Sequence, residues 1–382
     1  MTEWREEKLE NIFCIVKEVF KPSNEQQFKY IGLEHIEQGS LRLNGWGYSN
    51  SVQSNKYFFK KDDVLFGKLR PYFRKIIKAP FDGVCSTDIW VCRAKNNFDQ
   101  NFLFYFLANQ EFVDTANSTD EGTRMPRADW SFLKKTIWNI PPLPEQKAIA
   151  EVLSSLDDKI DLLTKQNKTL EDLAQAYFRK WFIEDASDEW EIKKLRDFGE
   201  IICGKTPPTT NKKFFNGNIP FIKIPDMHNN VYIFDTADTL SEMGAKYQEN
   251  KFIPPMSICV SCIATVGLVS MNVFLSQTNQ QINSLIPKHD KYRYYLFLFL
   301  RSYRDELLAL GSGGTMTLNI NKTLFGDIEC YCPDDEILFR FNNVVNPLFG
   351  KIYNNCKQIR ILSKLRNTLL PKLISGEIRV KM

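Results

Sequence analysis

Residues 149–181 read IAEVLSSLDDKIDLLTKQNKTLEDLAQAYFRKW, and their periodicity sets the architecture that we predict for the chain. Apolar residues recur every seven positions and again four positions later, which is the a/d pattern of a coiled-coil helix. The same pattern returns 192 residues further on, in residues 341–373. Because each apolar stripe must be buried, we predict that the two helices pack against each other. The predicted seam consists of Ile149, Leu153, Leu156, Ile160, Leu163, Asn167, Leu170 and Tyr177 in the first helix and Leu348, Ile352, Asn355, Ile359, Leu362 and Leu369 in the second.

The two helical segments carry opposite net charge. Residues 141–187 contain six basic and nine acidic residues, whereas residues 334–382 contain nine basic and four acidic residues. Opposite signs favour pairing between the segments over pairing of either with itself. Asn167 and Asn355 each place an amide in the seam, which can fix its register, and Pro347 predicts a kink in the second helix. The open alternative is that both segments are ordinary amphipathic core helices.

The remainder of the chain is also repeated. WREEKL at residues 4–9 is echoed by WEIKKL at residues 190–195, and Pro141 corresponds to Pro333 at the offset of the helices. We therefore predict an α+β protein with a pseudo-two-fold internal repeat, in which two globular bodies are separated by two long helices packed as an antiparallel coiled coil. The predicted segments are a first body in residues 1–140, a helical spacer in 141–187, a second body in 188–333 and a second helical spacer in 334–382.

Composition limits the class of protein. A chain of 382 residues with 43% hydrophobic residues can bury two or three cores, and a net charge of +4 is too small to indicate nucleic-acid binding by itself. The longest apolar stretch, residues 292–300, is too short to cross a bilayer, and no apolar leader follows Met1. The nine scattered cysteines fit a reducing compartment. We therefore expect a cytoplasmic protein without a membrane segment.

A basic stretch in the first body is a candidate DNA-binding surface. Eight lysines and arginines lie between Lys56 and Lys78, with aromatic residues among them and only Asp62 and Asp63 as acids. Basic groups attract phosphates, and arginine can also contact guanine edges in a bidentate manner. A solvated, charged strand surface is the alternative.

The second body offers two polar features. Lys205, Lys212 and Lys213 flank hydroxyl-rich loops, and the run QTNQQ at residues 277–281 supplies side-chain amides of the kind that pair with adenine. Taken alone, such a run is more often only a loop or turn.

The sequence contains no recognisable catalytic or metal-binding motif. The three histidines have no partner at metal-ligand spacing, and there is no phosphate-binding glycine loop of the GxxxxGK[ST] or GxGxxG type. Cys259 and Cys262 form a lone CxxC in an apolar run, where buried thiols are ordinary. We predict no catalytic residue and no metal site in this chain.

Four stretches resemble the conserved regions of the specificity subunits of type I restriction-modification systems. They are IPPLPEQKAIA at residues 140–150, LDDKI at 156–160, AQAYFRKWF at 174–182 and LLPKLISGEI at 369–378. The resemblance extends over essentially the whole chain. One departure is CPDDEI at residues 332–337, where the first copy has PPLPEQ.

This resemblance implies that each body is a target recognition domain reading one half of a bipartite sequence in double-stranded DNA. The helix pair would set the spacing and dock two modification subunits that bind S-adenosylmethionine, and restriction subunits using ATP and Mg would join them. This chain would hold no cofactor of its own. At about 1.5 Å per residue, a helix of roughly 35 residues spans on the order of 50 Å, which suits two readers on one duplex. The predicted DNA-binding residues are Lys68, Arg70, Tyr72, Arg74, Thr123 and Arg124 in the first body and Lys205, Thr206, Lys212, Lys213, Thr265, Asn279 and Gln280 in the second.

Two other functions remain open from the sequence. One is a single-chain DNA methyltransferase or nuclease, and the other is a protein-interaction scaffold that binds no nucleic acid.

Overall fold

A computed structural model describes residues 3–22, 26–118, 125–311 and 319–381. The chain forms two compact units, the first built from residues 1–160 and 361–382 and the second from residues 161–360. None of the helices in the described residues has both the length and the hydropathy needed to span a membrane.

Within the described residues, the first unit contains three sheets and four short helices, together with part of each long helix. Its strands are β1 (Arg5–Lys8), β2 (Phe13–Val16), β3 (Val19–Phe20), β4 (Lys29–Ile31), β5 (Gly47–Tyr48), β6 (Lys56–Phe59), β7 (Val64–Gly67), β8 (Ile76–Lys78), β9 (Gly83–Cys85), β10 (Ile89–Ala94) and β11 (Ile137–Ile140). Its helices are α1 (Leu9–Ile12), α2 (Gln100–Ala108), α3 (Gln110–Asn117), α4 (Trp130–Leu133) and the first part of α5 (Leu143–Arg179). The sheets have the strand orders β1-β11, β2-β10-β7-β8 and β3-β6-β9-β4-β5.

The second unit contains the rest of α5, which continues as a π turn over Lys180–Glu184. Its strands are β12 (Glu191–Lys194), β13 (Gly199–Cys203), β14 (Phe215–Ile222), β15 (Tyr232–Ile233), β16 (Asp238–Leu240), β17 (Phe252–Ile253), β18 (Ile258–Ser261), β19 (Val269–Asn272), β20 (Ser276–Thr278), β21 (Ile282–Pro287) and β22 (Glu329–Cys332). Its helices are α6 (Leu195–Phe198), α7 (Ile224–Met227), α8 (Glu242–Lys246), α9 (Arg293–Ser302), α10 (Arg304–Gly311), α11 (Lys322–Gly326) and most of α12 (Asp335–Ile374). The strand orders are β12-β22, β13-β21-β18-β19-β15 and β16-β14-β20-β17.

The predicted internal repeat is present in the topology. The order β2-β10-β7-β8 of the first unit returns as β13-β21-β18-β19 in the second. The small antiparallel sheets also correspond, since Arg5 pairs with Ile140 and Glu191 pairs with Cys332. These pairs differ by 186 residues on one strand and 192 on the other, which are the offsets that the sequence predicts. The α+β class with a repeated body is therefore confirmed.

Local sequence explains the central elements. β7 is buried at all four positions, as its run Val-Leu-Phe-Gly predicts for a strand covered on both faces. Asp99 precedes α2, and its side chain accepts a hydrogen bond from the amide of Phe102 and so caps the helix. Seven of its nine residues are buried, because helix and sheet share one core.

The long helices are antiparallel in each unit. In the first unit, Ile149 near the start of α5 shares a core with Leu373 near the end of α12. In the second unit, Phe178 near the end of α5 shares a core with Phe341 near the start of α12. All fourteen predicted seam residues are buried or half-buried. α12 continues as a helix through Pro347.

Candidate nucleic-acid interface

In the first unit, the loop of residues 68–75 between β7 and β8 carries most of the predicted DNA-binding residues. Backbone hydrogen bonds hold it against two other segments. The amide of Lys68 donates to the carbonyl of Asp88 (2.9 Å), and the amide of Arg70 donates to the carbonyl of Pro126 (2.8 Å). The amide of Ala128 returns a bond to the carbonyl of Lys68 (2.9 Å). The loop is therefore fixed at its start, where Lys68 and Arg70 emerge.

The side chains of this loop differ in their exposure. Tyr72 is 46% exposed and packs edge-on against Phe73. The guanidinium of Arg70 lies 6.0 Å from the centre of the Phe73 ring. Lys68 and Arg70 are half-buried. Arg70 has a left-handed backbone (φ 52°) and immediately precedes the 3-10 turn Pro71–Phe73, which contains Tyr72.

Arg74 and two neighbouring lysines point into the body instead. The guanidinium of Arg74 donates to the carbonyl of Ala108 (2.9 Å), and burial, followed by repulsion from Arg366, lowers the pKa of Arg74. The Lys56 ammonium is bound by the carbonyl of Ser54 (2.8 Å), and Lys75 donates to the carbonyl of Leu33 (2.6 Å). Part of the basic stretch is thus structural. The DNA-binding role of Arg74 stays a prediction. Its guanidinium already forms a hydrogen bond inside the protein.

The two remaining predicted residues of the first body, Thr123 and Arg124, lie outside the described residues. The chain after them is held near the loop of residues 68–75, because Leu69 forms an isolated bridge with Arg127. Arg127 also forms an ion pair with Asp88 (3.4 Å).

In the second unit, Lys205 and Thr206 are brought next to the polar run predicted from the sequence. The amide of Lys205 donates to the carbonyl of Thr278 (2.9 Å), and the hydroxyl of Thr206 donates to the side-chain oxygen of Gln280 (2.5 Å). Gly204 permits this approach, because a Cβ there would lie 2.1 Å from the carbonyl oxygen of Asn279. The loop after β13 and the turn between β20 and β21 therefore form one surface.

The amides of the polar run have different roles. Gln280 is exposed, whereas Asn279 is 6% exposed. The amide nitrogen of Asn279 donates to the side-chain oxygen of Gln281 (2.9 Å), and Gln277 is part of a buried amide pair with Gln248 (2.7 Å). Among these side chains, Gln280 is the one available to a base edge, and Asn279 holds the turn.

The other predicted residues of the second body surround this surface to different degrees. Thr265 is exposed in the loop between β18 and β19, which is tied to the polar run because the amide of Cys262 donates to the carbonyl of Gln281 (2.8 Å). The Lys205 ammonium lies 5.4 Å from the centre of the Tyr247 ring. Lys212 and Lys213 are exposed on the turn that begins at Lys212 and ends at Phe214.

The repeat identifies residues that sequence reasoning missed. The turn between β20 and β21 corresponds to the turn of residues 86–88 between β9 and β10, where Thr87 is exposed. Tyr247, 53% exposed beside Lys205, was missed as well. Alignment of the two bodies would have found Thr87, whereas Tyr247 had no signal apart from being aromatic.

The described residues contain no group of three or more His, Cys, Asp or Glu side chains placed to hold a metal ion. Burial raises the pKa of the Cys259 and Cys262 thiols to about 12, which disfavours the thiolates that zinc requires. The candidate interface of each body consists of fixed loops that carry cationic, hydroxyl or amide side chains. Such groups can bind a nucleic acid through ion pairs and hydrogen bonds.

Comparison with known proteins identifies the family. The sequence profile of the family described as "Type I restriction modification DNA specificity domain" matches the chain twice, over residues 1–172 and 187–369. The chain is 36% identical to the type I restriction enzyme HindI specificity subunit of Haemophilus influenzae, with 85% of this chain and 88% of that protein covered. It is 31% identical to the MjaIX specificity subunit of Methanocaldococcus jannaschii, with 81% and 72% covered.

One solved structure supports the fold. The type I restriction-modification system S subunit from M. genitalium superposes with a TM-score of 0.58 at 15% identity, covering 99% of this chain and 96% of that chain. At this identity the likeness concerns the fold alone.

Proposed function

The chain belongs to the type I restriction-modification DNA specificity family, and from this we propose that each of its two bodies reads one half of a bipartite sequence in double-stranded DNA. As a member of this family, the chain is a DNA specificity subunit without a catalytic role of its own. The methyltransferase, nuclease and scaffold alternatives are not favoured.

The observation that carries the proposal is the repeated placement of two connections in each body. Three of these four connections contain charged or amide side chains, and the fourth, residues 262–268, contributes the exposed Thr265. In the first unit the connections join β7 to β8 and β9 to β10, and in the second they join β18 to β19 and β20 to β21. Lysines on such loops position a protein on phosphates, while arginine and amide side chains distinguish bases. Arg70 and Gln280 are the strongest candidates for base contacts, because both belong to loops held by backbone hydrogen bonds.

The helices would set the distance between half-sites and bind other subunits of the enzyme. Both α5 and α12 contribute to both units, so each of these continuous helices is shared by the two bodies. Large apolar side chains remain exposed on these helices, which is typical of protein-binding surfaces. They include Leu162 and Leu173 in the second unit and Ile361 and Leu365 in the first.

The partners that we propose are two modification subunits and the restriction subunits. S-adenosylmethionine, ATP and Mg would bind to those subunits and not to this chain. The purified chain alone should therefore neither bind S-adenosylmethionine nor cut DNA, and either activity would revive the single-chain enzyme alternative.

The central test exchanges residues 1–140 for the first body of another family member and maps methylated adenines genome-wide in cells that also make the partner subunits. We expect one half of the recognised sequence to change while the other half and the spacer stay the same. The matched control exchanges residues 188–333, which should alter only the opposite half. A change in both halves after either exchange would contradict the proposal. DNA binding that is absent, or insensitive to salt, even with the modification subunits present would favour the scaffold.

A further inference from the structure

Two ion pairs connect α5 with the C-terminal part of the chain inside the first unit. The guanidinium of Arg379 binds the Glu145 carboxylate through two nitrogens, with Nη2 2.7 Å from Oε2, and only 1% of the Glu145 side chain is exposed. The guanidinium of Arg366 lies 2.7 Å from Oδ1 of Asp157, and 5% of its side chain is exposed. Each pair thus joins one buried charge, Glu145 or Arg366, to a partly exposed partner, and the buried charge depends on that partner.

Neighbouring side chains complete the two carboxylate sites. The indole nitrogen of Trp4 donates to Glu145 (3.2 Å), and the hydroxyl of Tyr105 donates to Oδ2 of Asp157 (2.8 Å). Burial, reinforced by the Asp157 charge, raises the pKa of Tyr105 and keeps it a hydrogen-bond donor. Both carboxylates are thus held in fixed positions.

The repeat provides uncharged counterparts for all four ionic residues. At the constant offset of 192, Phe349 takes the place of Asp157 and Ala174 takes the place of Arg366, and both are fully buried in the core of the second unit. Ile337 packs against the same core. The complete set of counterparts is Ile337 for Glu145, Phe349 for Asp157, Ala174 for Arg366 and Ser187 for Arg379.

This asymmetry distinguishes pairing of α5 with α12 from pairing of like helices in two chains. If α5 paired antiparallel with α5 of a second copy, Asp157 would face Ala174 and Glu145 would face Ser187. If α12 paired with α12, Arg366 would face Phe349. Pairing of α5 with α5 would leave the buried Glu145 without its cation, and pairing of α12 with α12 would leave the buried Arg366 without its anion. One unpaired buried charge disfavours an arrangement by at least about 100-fold.

We propose that these two ion pairs make the helix pairing heterotypic, so that neither half of the chain can pair with the same half of a second copy. The proposal goes beyond the opposite net charge of the segments because it assigns the preference to named pairs. It is independent of how the bodies read DNA.

The test begins with the full chain carrying a protease site between Asp188 and Glu189, in the segment between the π turn and β12. The purified protein is cleaved, unfolded in denaturant and refolded. Native mass spectrometry then measures the ratio of homotypic to heterotypic pairs of halves. For the unsubstituted halves we expect homotypic pairs to be at least about 100-fold rarer than heterotypic ones. The counterpart variant combines Glu145→Ile, Asp157→Phe, Arg366→Ala and Arg379→Ser. In this variant, homotypic pairs should become at least about 10-fold more frequent, because no buried charge opposes them.

The matched control removes an ion pair whose two residues lie in the same half. Arg93 lies 2.7 Å from Asp63, whose side chain is 4% exposed, and the pair is replaced by Asp63→Asn with Arg93→Gln. These substitutions should leave the heterotypic preference unchanged. A statistical mixture from the unsubstituted halves, or a counterpart variant as selective as they are, overturns the proposal.

If no pair of any kind re-forms, the uncleaved chain decides. Asp157→Phe and Arg366→Ala should each lower the thermal unfolding midpoint, and the double variant should recover at least half of the larger loss, because it removes both charges together. Additive losses would show that the two groups are not coupled and would overturn the proposal.

Discussion

Replacement of Asn355 by leucine should loosen the helix pair in the second unit. Asn355 is fully buried, and its amide nitrogen donates to the side-chain oxygen of Asn167 (2.9 Å) and to that of Gln166 (3.0 Å). Asn167 is 7% exposed, so Asn355→Leu leaves its carbonyl oxygen without this donor and away from water. An unsatisfied buried polar group costs about 1–3 kcal/mol. Gln166 is exposed and can bond to water instead.

The double variant gives the opposite expectation. Asn167→Leu with Asn355→Leu removes both amides and leaves an apolar pair in the seam, which can be neutral or stabilising. The expected coupling between the two sites is therefore about 2 kcal/mol, with the double variant more stable than Asn355→Leu alone.

Hydrogen exchange of the backbone amides of α5 is the suitable assay, because it reports local opening in a protein too large for a single unfolding transition. A loss of about 2 kcal/mol should speed exchange in residues 163–178 by about 30-fold, and the double variant should reverse it. The control is Asn354→Leu, on the exposed face of the same helix, which should change little. Equal exchange rates in Asn355→Leu and the double variant would refute the reasoning.

Three further predictions concern the loops and thiols. Gly204→Ala would place a Cβ 2.1 Å from a backbone oxygen of the neighbouring turn, so we expect the protein to lose more than about 1 kcal/mol of stability. Methylation mapping should also show weaker recognition of one half-site, and an unchanged map would contradict the loop assignment. Lys68→Ala and Lys205→Ala should each reduce the slope of log affinity against log salt by about 1 in DNA titrations, and an unchanged slope would exclude a phosphate contact. Because burial raises the pKa of Cys259 and Cys262 to about 12, their modification by a thiol reagent should be slow at pH 8 and rise about tenfold per pH unit, whereas a plateau near pH 9 would contradict the burial.

The helix pair and the repeat could be predicted because they rest on periodicity and offset, which are properties of sequence alone. The apolar composition of residues 100–110 also predicts a helix, and α2 is observed at Gln100–Ala108. The turn at residues 86–88 was not predicted, since the sequence of residues 85–91 reads as one strand. The strands before and after this turn belong to different sheets, because β9 pairs with β6 and β10 pairs with β7. That division depends on tertiary pairing, which local propensity does not determine.

Side-chain direction in the candidate interface was the second limit. Charge marked residues 56–78 as a possible DNA-binding surface, but Lys56 and Arg74 bond to backbone carbonyls inside the body. Arg74 has a left-handed backbone (φ 47°), so the alternation of a regular strand does not apply to it. The sequence therefore predicts a basic region but does not predict which of its cations face outward.

The differences between equivalent loops argue for an asymmetric target. The loop of residues 68–75 contains Lys68 and Arg70, whereas its counterpart, residues 262–268, contains no charged residue. The turn of residues 86–88 contains Asp88, whereas its counterpart offers the amides of residues 279–281. Guanidinium groups favour guanine and amides favour adenine, so the two bodies should prefer different half-sites. A chain that pairs its own unlike halves presents both readers in a fixed combination, whereas homotypic pairing would join two identical readers and change the target. The two ion pairs favour the pairing of unlike halves, and the unlike loops favour different bases. Both features therefore support recognition of an asymmetric target.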